Sequence, residues 1–256
     1  MAEFASRQGF YVTVNSNGLI SEKRYDVLSP FIDMYKISLP AADEDTVDRL
    51  TGVKGAFRKK IKTIAHCLST HKEVQILTVI LEENIGHLEK FVKLCEGIPG
   101  LSWSPLRVEA SPMNNRPISR GKIQVLAEEL NNLMDNYPGK IHKLGLATPF
   151  CSVKPIDLGA KVFLGRGEDC GPFYSMTVDS SNQLIACYSC RVPIRFFNDF
   201  SSMDMDSEYR RLTSTEYLSD TCRCCIYLER CMGGCAAPEA IVDYKNGKID
   251  YLALPI

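Results

Sequence analysis

Charge of one sign is what this sequence most plainly lacks. Its 30 basic and 31 acidic side chains leave a formal net charge of -1, so it has no basic field of the kind that a nucleic acid or an anionic membrane surface requires. On that ground no nucleic acid and no membrane partner is expected. No apolar run approaches the ~18 residues of a membrane span, and Met1-Ala2-Glu3-Phe4-Ala5-Ser6-Arg7 carries no apolar signal core. A cytoplasmic location is the simplest expectation. Histidine is scarce and scattered: His66, His71, His87 and His142 read as surface or satisfied core residues rather than as ligands or switches. No Ser-His-Asp set, phosphate loop or pair of catalytic carboxylates stands out, so the residue pattern names no acid–base group.

What is present is cysteine, and enough apolar residues to bury a core: 45% of the 256 residues are hydrophobic. Eleven cysteines could form a disulfide framework, but disulfide-dense chains are usually small and secreted. Thiolates facing a metal are the better expectation. Cys67 and Cys95 stand alone in the first half, on an apolar helix face and near a helix end, and read as core residues. Cys151, Cys170, Cys187, Cys190, Cys222, Cys224, Cys225, Cys231 and Cys235 crowd the remainder. That shift places a domain boundary near residue 148, giving units of 1–148 and 149–256.

The first unit alternates strand and helix. Gly9 to Val14 reads as a strand, and Asn17-Gly18 turns it into a helix beginning near Ser21. Ile32 to Leu39 is the next strand, followed by a helix from Ala56 to Leu68 with Phe57, Ile61, Ile64 and Ala65 at helical spacing. Val74 to Leu81 is a third strand, with Asn84 as N-cap of a helix through Phe91 and Leu94, and Leu101 to Leu106 a fourth. Such alternation predicts parallel strands joined by right-handed crossovers in an α/β layer, although four strands are too few to close a barrel. Ser119 to Met134 is an amphipathic helix with Ile123, Leu126, Leu130 and Leu133 on one stripe.

The strongest pattern in the second unit is Cys222, Cys225, Cys231 and Cys235, which spell CxxCxxxxxCxxxC. Spacings this short let several thiolates face one or two metal centres from a compact loop. Gly233 and Gly234 suit a backbone turning sharply beside a bulky inorganic core. Upstream, Cys170 and Cys187 bracket a hairpin pattern with its turn at residues 179–182, and Cys190 could join either of them. Iron–sulfur clusters and a structural zinc site, using Cys187xxCys190 and Cys222xxCys225, are both compatible with these spacings.

The order Cys170, eleven residues, Asn182, four residues, Cys187, then the four-cysteine run resembles the SPASM domain of radical S-adenosylmethionine (radical SAM) enzymes. The resemblance implies two auxiliary [4Fe–4S] clusters. Cys170, Cys187 and Cys235 would serve the first, its fourth ligand being Cys151 or Cys190; Cys222, Cys225 and Cys231 would serve the second, with Cys224 available as a fourth. The family has glycine where this chain has Asn182, and it has a further cysteine after the run, which no residue beyond Cys235 can match. In the first half, Val14-Asn-Ser-Asn-Gly18 resembles a strand-end motif of radical SAM barrels. Lys36-Ile-Ser-Leu39 and Asp48 to Phe57 resemble two further ones, which puts Ser38 near the S-adenosylmethionine.

Two family elements are absent from this sequence: the CxxxCxxC that holds the S-adenosylmethionine cluster, and Gly-Gly-Glu-Pro. The fold class the resemblance implies is therefore α/β, a partial radical SAM (β/α) barrel of parallel strands followed by a small Cys-rich iron–sulfur (SPASM) domain. The chain would be the carboxy-terminal part of a peptide- or protein-modifying oxidoreductase, starting just before the third barrel strand. It would use S-adenosylmethionine only if the missing part is supplied, for which a second chain is one source. The missing strands would leave an apolar sheet edge. The competing expectation is a non-catalytic zinc- or cluster-binding scaffold or peptide-binding protein.

Overall fold

The computed structural model describes residues 1–70, 72–82, 84–108, 118–169, 177–187, 207–236, 241–244, 247–250 and 252–253. They form two compact units. Unit one comprises residues 1–106 and 132–142, and unit two residues 107–131 and 143–256.

In unit one the elements run α1 (Ala2–Arg7), β1 (Thr13–Ser16), α2 (Glu22–Leu28), β2 (Met34–Ser38), α3 (Glu44–Thr51), α4 (Ala56–Ser69), β3 (Glu73–Ile80), α5 (Glu89–Cys95) and β4 (Leu101–Arg107). The sheet is parallel, in the order β1-β2-β3-β4, with Thr13 opposite Met34 and Met34 opposite Glu73. Its buried residues are mainly apolar, with Tyr35, Ile37, Ile76 and Ile80 fully buried, and the buried Thr78 hydroxyl donates to the Leu39 carbonyl (2.9 Å) and accepts from Trp103 Nε1–H (2.9 Å). Pro105 is tolerated in β4 because that strand is at the edge of the sheet. The outer side of β4 is bonded to a single turn of chain, where Trp103 N–H donates to the Lys140 carbonyl (2.8 Å) and His142 N–H to that of Trp103 (2.9 Å). Phe91 of α5 stacks on Trp103 with centroids 5.3 Å apart.

Several boundaries differ from the sequence expectation for local reasons. β1 starts at Thr13, because Gly9 takes φ +81° and Phe10 and Tyr11 are exposed. Asn84 does not cap a helix. Its amide accepts from Leu81 N–H (2.8 Å) and donates to the Val79 carbonyl (3.0 Å), closing the turn after β3, and α5 begins only at Glu89. In α4 the inward stripe is Ala56, Lys60, Thr63, Ile64 and Cys67, whereas Ala65 is exposed. α3, which the apolar pattern did not announce, is set by its ends: the Asp43 side chain accepts from Thr46 N–H (2.9 Å), and Gly52 terminates it at φ +67°.

Next comes α6 (Arg120–Asn136), with Ile123, Leu126, Ala127, Leu130 and Leu133 buried as its stripe predicts. Unit two continues with α7 (Ile156–Val162) and α8 (Arg166–Asp169), then the hairpin β5 (Thr177–Val178) and β6 (Leu184–Ile185). Asp179 sets that turn, its carboxylate accepting from Ser181 (2.8 Å) and Gln183 N–H (2.9 Å), and Asn182 takes φ +60°. Three short helices follow, Ser207–Thr213, Asp220–Arg223 and Leu228–Cys231, of which the last two carry Cys222 and Cys231. The hairpin β7 (Ile241–Tyr244) and β8 (Gly247–Asp250) follows. No described helix is long and apolar enough to cross a membrane.

Candidate metal centre

The cysteine run is held by its own backbone. Ser219 is buried and caps the helix Asp220–Arg223, its hydroxyl accepting from Cys222 N–H (3.4 Å). Cys225 N–H donates to the Cys222 carbonyl (3.1 Å), and Leu228 N–H to that of Cys225 (3.0 Å). The helix Leu228–Cys231 then ends in three successive left-handed residues, Met232, Gly233 and Gly234, at φ +45°, +72° and +80°. A Cβ at Gly233 would come within 2.6 Å of Leu218, and one at Gly234 within 2.9 Å of both Pro149 and Asp250. Protein packing as well as the turn therefore requires glycine here.

Other elements hold the run from outside. The backbone of α8 lies against the helix Leu228–Cys231 so closely that a Cβ on Gly165 would be 2.1 Å from the Arg230 carbonyl oxygen. Arg166 is wholly buried. It donates to the carbonyls of Leu212 (3.3 Å) and Met232 (2.5 Å) and to the Tyr217 hydroxyl, while its Nε has no hydrogen-bond partner among the described residues. Asp250, also buried, forms a bidentate pair with Arg107 (2.7 and 2.9 Å) and accepts backbone N–H groups from Cys235 and Leu252, each at 2.9 Å. None of this polar framework was predicted from sequence, because most of the partners, such as Arg107 and Asp250 or Arg166 and Met232, are distant along the chain.

Four cysteines, Cys151, Cys222, Cys225 and Cys231, line one partly open pocket. Most of the remaining lining is apolar, including Pro149, Ile156 and Leu228. Among the described residues no three His, Cys, Asp or Glu side chains form a group that could hold a single metal ion. Two of the four sulfurs accept backbone hydrogen bonds, Cys231 Sγ from Phe150 N–H and Cys225 Sγ from Tyr227 N–H, both at 3.5 Å. Burial pushes the Cys231 thiol up to about 11 and raises that of Cys222, on which Arg166 acts in the opposite direction. The donor set fits an iron–sulfur core in its chemistry: several cysteines, a mostly apolar lining, and N–H donors to sulfur of the kind that adjust a cluster's potential.

The other cysteines lie elsewhere. Cys224 is exposed and does not line the cavity. Cys235 is half-buried with its N–H on Asp250. Cys187 packs on the small core of Ala186, Leu212 and Ala236, the last being the neighbour of Cys235. Cys170 and Cys190 lie outside the described residues. Cys67 and Cys95 are buried, with thiols pushed up by burial to about 11 and 12.

Unit one offers a separate site at the carboxyl ends of β1 and β2, the end at which open parallel sheets bind ligands. Ser38 closes β2 with its side chain exposed. Lys60, only 2% exposed, donates from Nζ to the carbonyls of Ser38 (2.8 Å) and Asn17, and Thr63 donates to that of Gly18 (3.0 Å). Burial lowers the lysine's proton affinity. Gly18 takes φ +74° against Ile37 and Lys60, where a Cβ would sit 3.0 and 3.1 Å from their side chains. Asp48 accepts N–H groups of Gly55 and Phe57 and fixes the entry to α4.

No protein-family model matches the chain. Solved structures do. SuiB from Streptococcus suis bound to S-adenosylmethionine superposes with a TM-score of 0.66 and 16% identity, covering 90% of this chain and 56% of that one. The same enzyme bound to the precursor peptide SuiA gives 0.65, 15%, 90% and 56%. Native anSMEcpe with bound AdoMet and Kp18Cys peptide gives 0.60, 16%, 88% and 66%. The chain spans just over half the length of SuiB and slightly under two-thirds of anSMEcpe. At these identities the likeness is one of fold: the α/β fold with its four-stranded parallel sheet is shared with SuiB and anSMEcpe.

Proposed function

We propose that this chain is the carboxy-terminal part of a radical SAM/SPASM oxidoreductase that modifies a peptide or protein. Residues 1–148 act as a partial barrel and 149–256 as the auxiliary-cluster domain. The observation that carries the reading is the cavity ringed by Cys151, Cys222, Cys225 and Cys231 on this fold. A multi-iron core needs sulfurs set around a space, since each thiolate takes its own iron, whereas a zinc ion draws its ligands to about 2.3 Å from one point. Cys222, Cys225 and Cys231 serve one [4Fe–4S] cluster; Cys170, Cys187 and Cys235 serve the other, in keeping with the packing of Cys187 beside Ala236. When bound, such clusters supply an electron acceptor or a site that places substrate.

The substrate class rests on the neighbours: SuiB binds the precursor peptide SuiA, and anSMEcpe the Kp18Cys peptide. Ser38, exposed at the end of β2, contacts S-adenosylmethionine in the completed barrel. With no CxxxCxxC in this sequence, the chain alone does not cleave S-adenosylmethionine. A second chain is one source of the strands that complete the barrel, and β1, the open edge of the described sheet, beside the exposed Phe10 and Tyr11, is where they would pair. Iron, sulfide and zinc analysis of protein purified without oxygen tests the reading. About eight irons and eight sulfides per chain are expected. About one zinc without sulfide replaces it with a structural scaffold.

A further inference from the structure

We infer that Cys151 is the fourth thiolate ligand of the cluster held by Cys222, Cys225 and Cys231, an assignment that rests on the cluster reading above. The sequence pattern offered Cys224 for this place, and Cys151 only for the other cluster. The fold reverses that choice. Cys151 lies on a single turn of 3-10 helix, Phe150–Ser152, 71 residues before Cys222 in the sequence, yet it lines the same cavity as Cys222, Cys225 and Cys231.

The turn that presents Cys151 is fastened to the ligand set. Phe150 N–H donates to Cys231 Sγ (3.5 Å), so the backbone next to Cys151 bonds to the sulfur of another ligand. Phe150 is completely buried, its ring edge-on to Tyr227 at 5.7 Å, with the Arg230 guanidinium 5.3 Å from its centroid. Tyr227 and Arg230 belong to the Cys225-to-Cys231 segment, so the same contacts fix that segment and the Cys151 turn together. Ser152 closes the turn from the other side, its N–H and hydroxyl both donating to the Pro149 carbonyl (3.1 and 2.6 Å). Gly159 of α7 lies against it so closely that a Cβ would be 2.1 Å from the Phe150 carbonyl oxygen. Cys224 has none of this: it is exposed, beside the exposed Ile226.

Loading each cysteine exchanges an S–H bond for an S–Fe bond and releases one proton to solvent, with no change in the oxidation state of sulfur. The chain thus provides four ligands for this cluster from residues 151 to 231, and a cysteine beyond Cys235 is unnecessary.

The test compares wild type, Cys151→Ser and Cys224→Ser after anaerobic reconstitution, by iron content and electron paramagnetic resonance of the reduced proteins. Circular dichroism verifies folding. Cys151→Ser is expected to lose one to four irons per chain and to change or lose one of the cluster signals, while Cys224→Ser matches wild type. A second measurement needs no variant: alkylation of wild type, read by mass spectrometry before and after reconstitution. Cys151 should become protected together with Cys222, Cys225 and Cys231, and Cys224 should stay labelled. Wild type that binds iron while Cys151→Ser keeps the full iron content and an unchanged spectrum overturns this ligand assignment alone. So does Cys151 remaining labelled when the other three are protected. Wild type that takes up no iron overturns the cluster reading itself.

Discussion

Replacing Asp250 with alanine should destabilise the protein severely. The carboxylate is fully buried and holds Arg107, whose side chain is 3% exposed, through two hydrogen bonds of 2.7 and 2.9 Å. Breaking such a pair from one side leaves an uncompensated buried cation and costs about 3–5 kcal/mol. Asp250→Ala also orphans the N–H groups of Cys235 and Leu252, at about 1–3 kcal/mol each when buried, although these terms do not add simply. A loss of about 4 kcal/mol lowers the melting temperature by roughly 8–16 °C for a chain of this size. The double variant Arg107→Met/Asp250→Ala removes the stranded cation and should regain about 1–3 kcal/mol, leaving chiefly the cost of the two N–H groups. Urea unfolding followed by circular dichroism without oxygen measures both. The reasoning is refuted if Asp250→Ala unfolds within 1 kcal/mol of wild type, or if the double variant is no more stable than the single one.

Other outcomes follow from the same structure. Gly165→Ala should cost about 3 kcal/mol or more and lower iron retention, because its Cβ would meet the Arg230 carbonyl and displace the helix that carries Cys231; a fully stable, iron-replete variant contradicts the close approach. Lys60→Met should cost about 1–3 kcal/mol by stranding the Asn17 and Ser38 carbonyls, measured by thermal unfolding. Asp48 is held below the usual carboxylate range, first by the Gly55 N–H. Its contribution is therefore present above the unfolded carboxylate pKa of about 3.9 and disappears as pH falls through its folded value. Asp48→Asn should flatten the acid limb of a stability–pH curve, and an unchanged limb would count against the bond. Cys67 and Cys95, with thiols pushed up to about 11 and 12, should resist iodoacetamide at pH 8 until denaturant is added; labelling as fast as Cys224 contradicts their burial.

Periodicity made the first unit legible. The apolar strands before α4 and α5, and the Ile123-Leu126-Leu130-Leu133 stripe of α6, fall where the pattern puts them because burial is what those residues record. Errors occurred where a polar residue performs a structural task. Lys60 occupies a core position of α4, so a search for apolar residues moved the stripe to Ala65. Asn84 offered a capping side chain but binds the preceding turn instead. In the second unit, short-range spacing grouped Cys222, Cys225 and Cys231, which line one pocket, since neighbours in sequence must be neighbours in space. The position of Cys151 depends on Phe150 packing against Tyr227, a contact between distant segments that no local pattern encodes. The glycines of α8 carried a signal that could have been read: Gly165 and Gly167 at consecutive alternate positions mark a close backbone approach.

The Arg107–Asp250 pair joins residues 143 apart, and this has a consequence for the order of events during synthesis. A ribosome delivers the sheet of the first unit, the Cys151 turn and the whole cysteine run before it delivers Asp250. Until that carboxylate arrives, Arg107 lacks its counter-ion and Cys235 N–H lacks its acceptor. Domains fold from the amino terminus at about 5–20 residues per second during translation. The pocket of Cys151, Cys222, Cys225 and Cys231 is lined in part by Ala253, beyond β8, so its wall, like the fixed backbone of Cys235, is completed only when the last residues arrive. A chain stalled just short of β8 would lack both the Ala253 wall of that pocket and the acceptor of the Cys235 N–H.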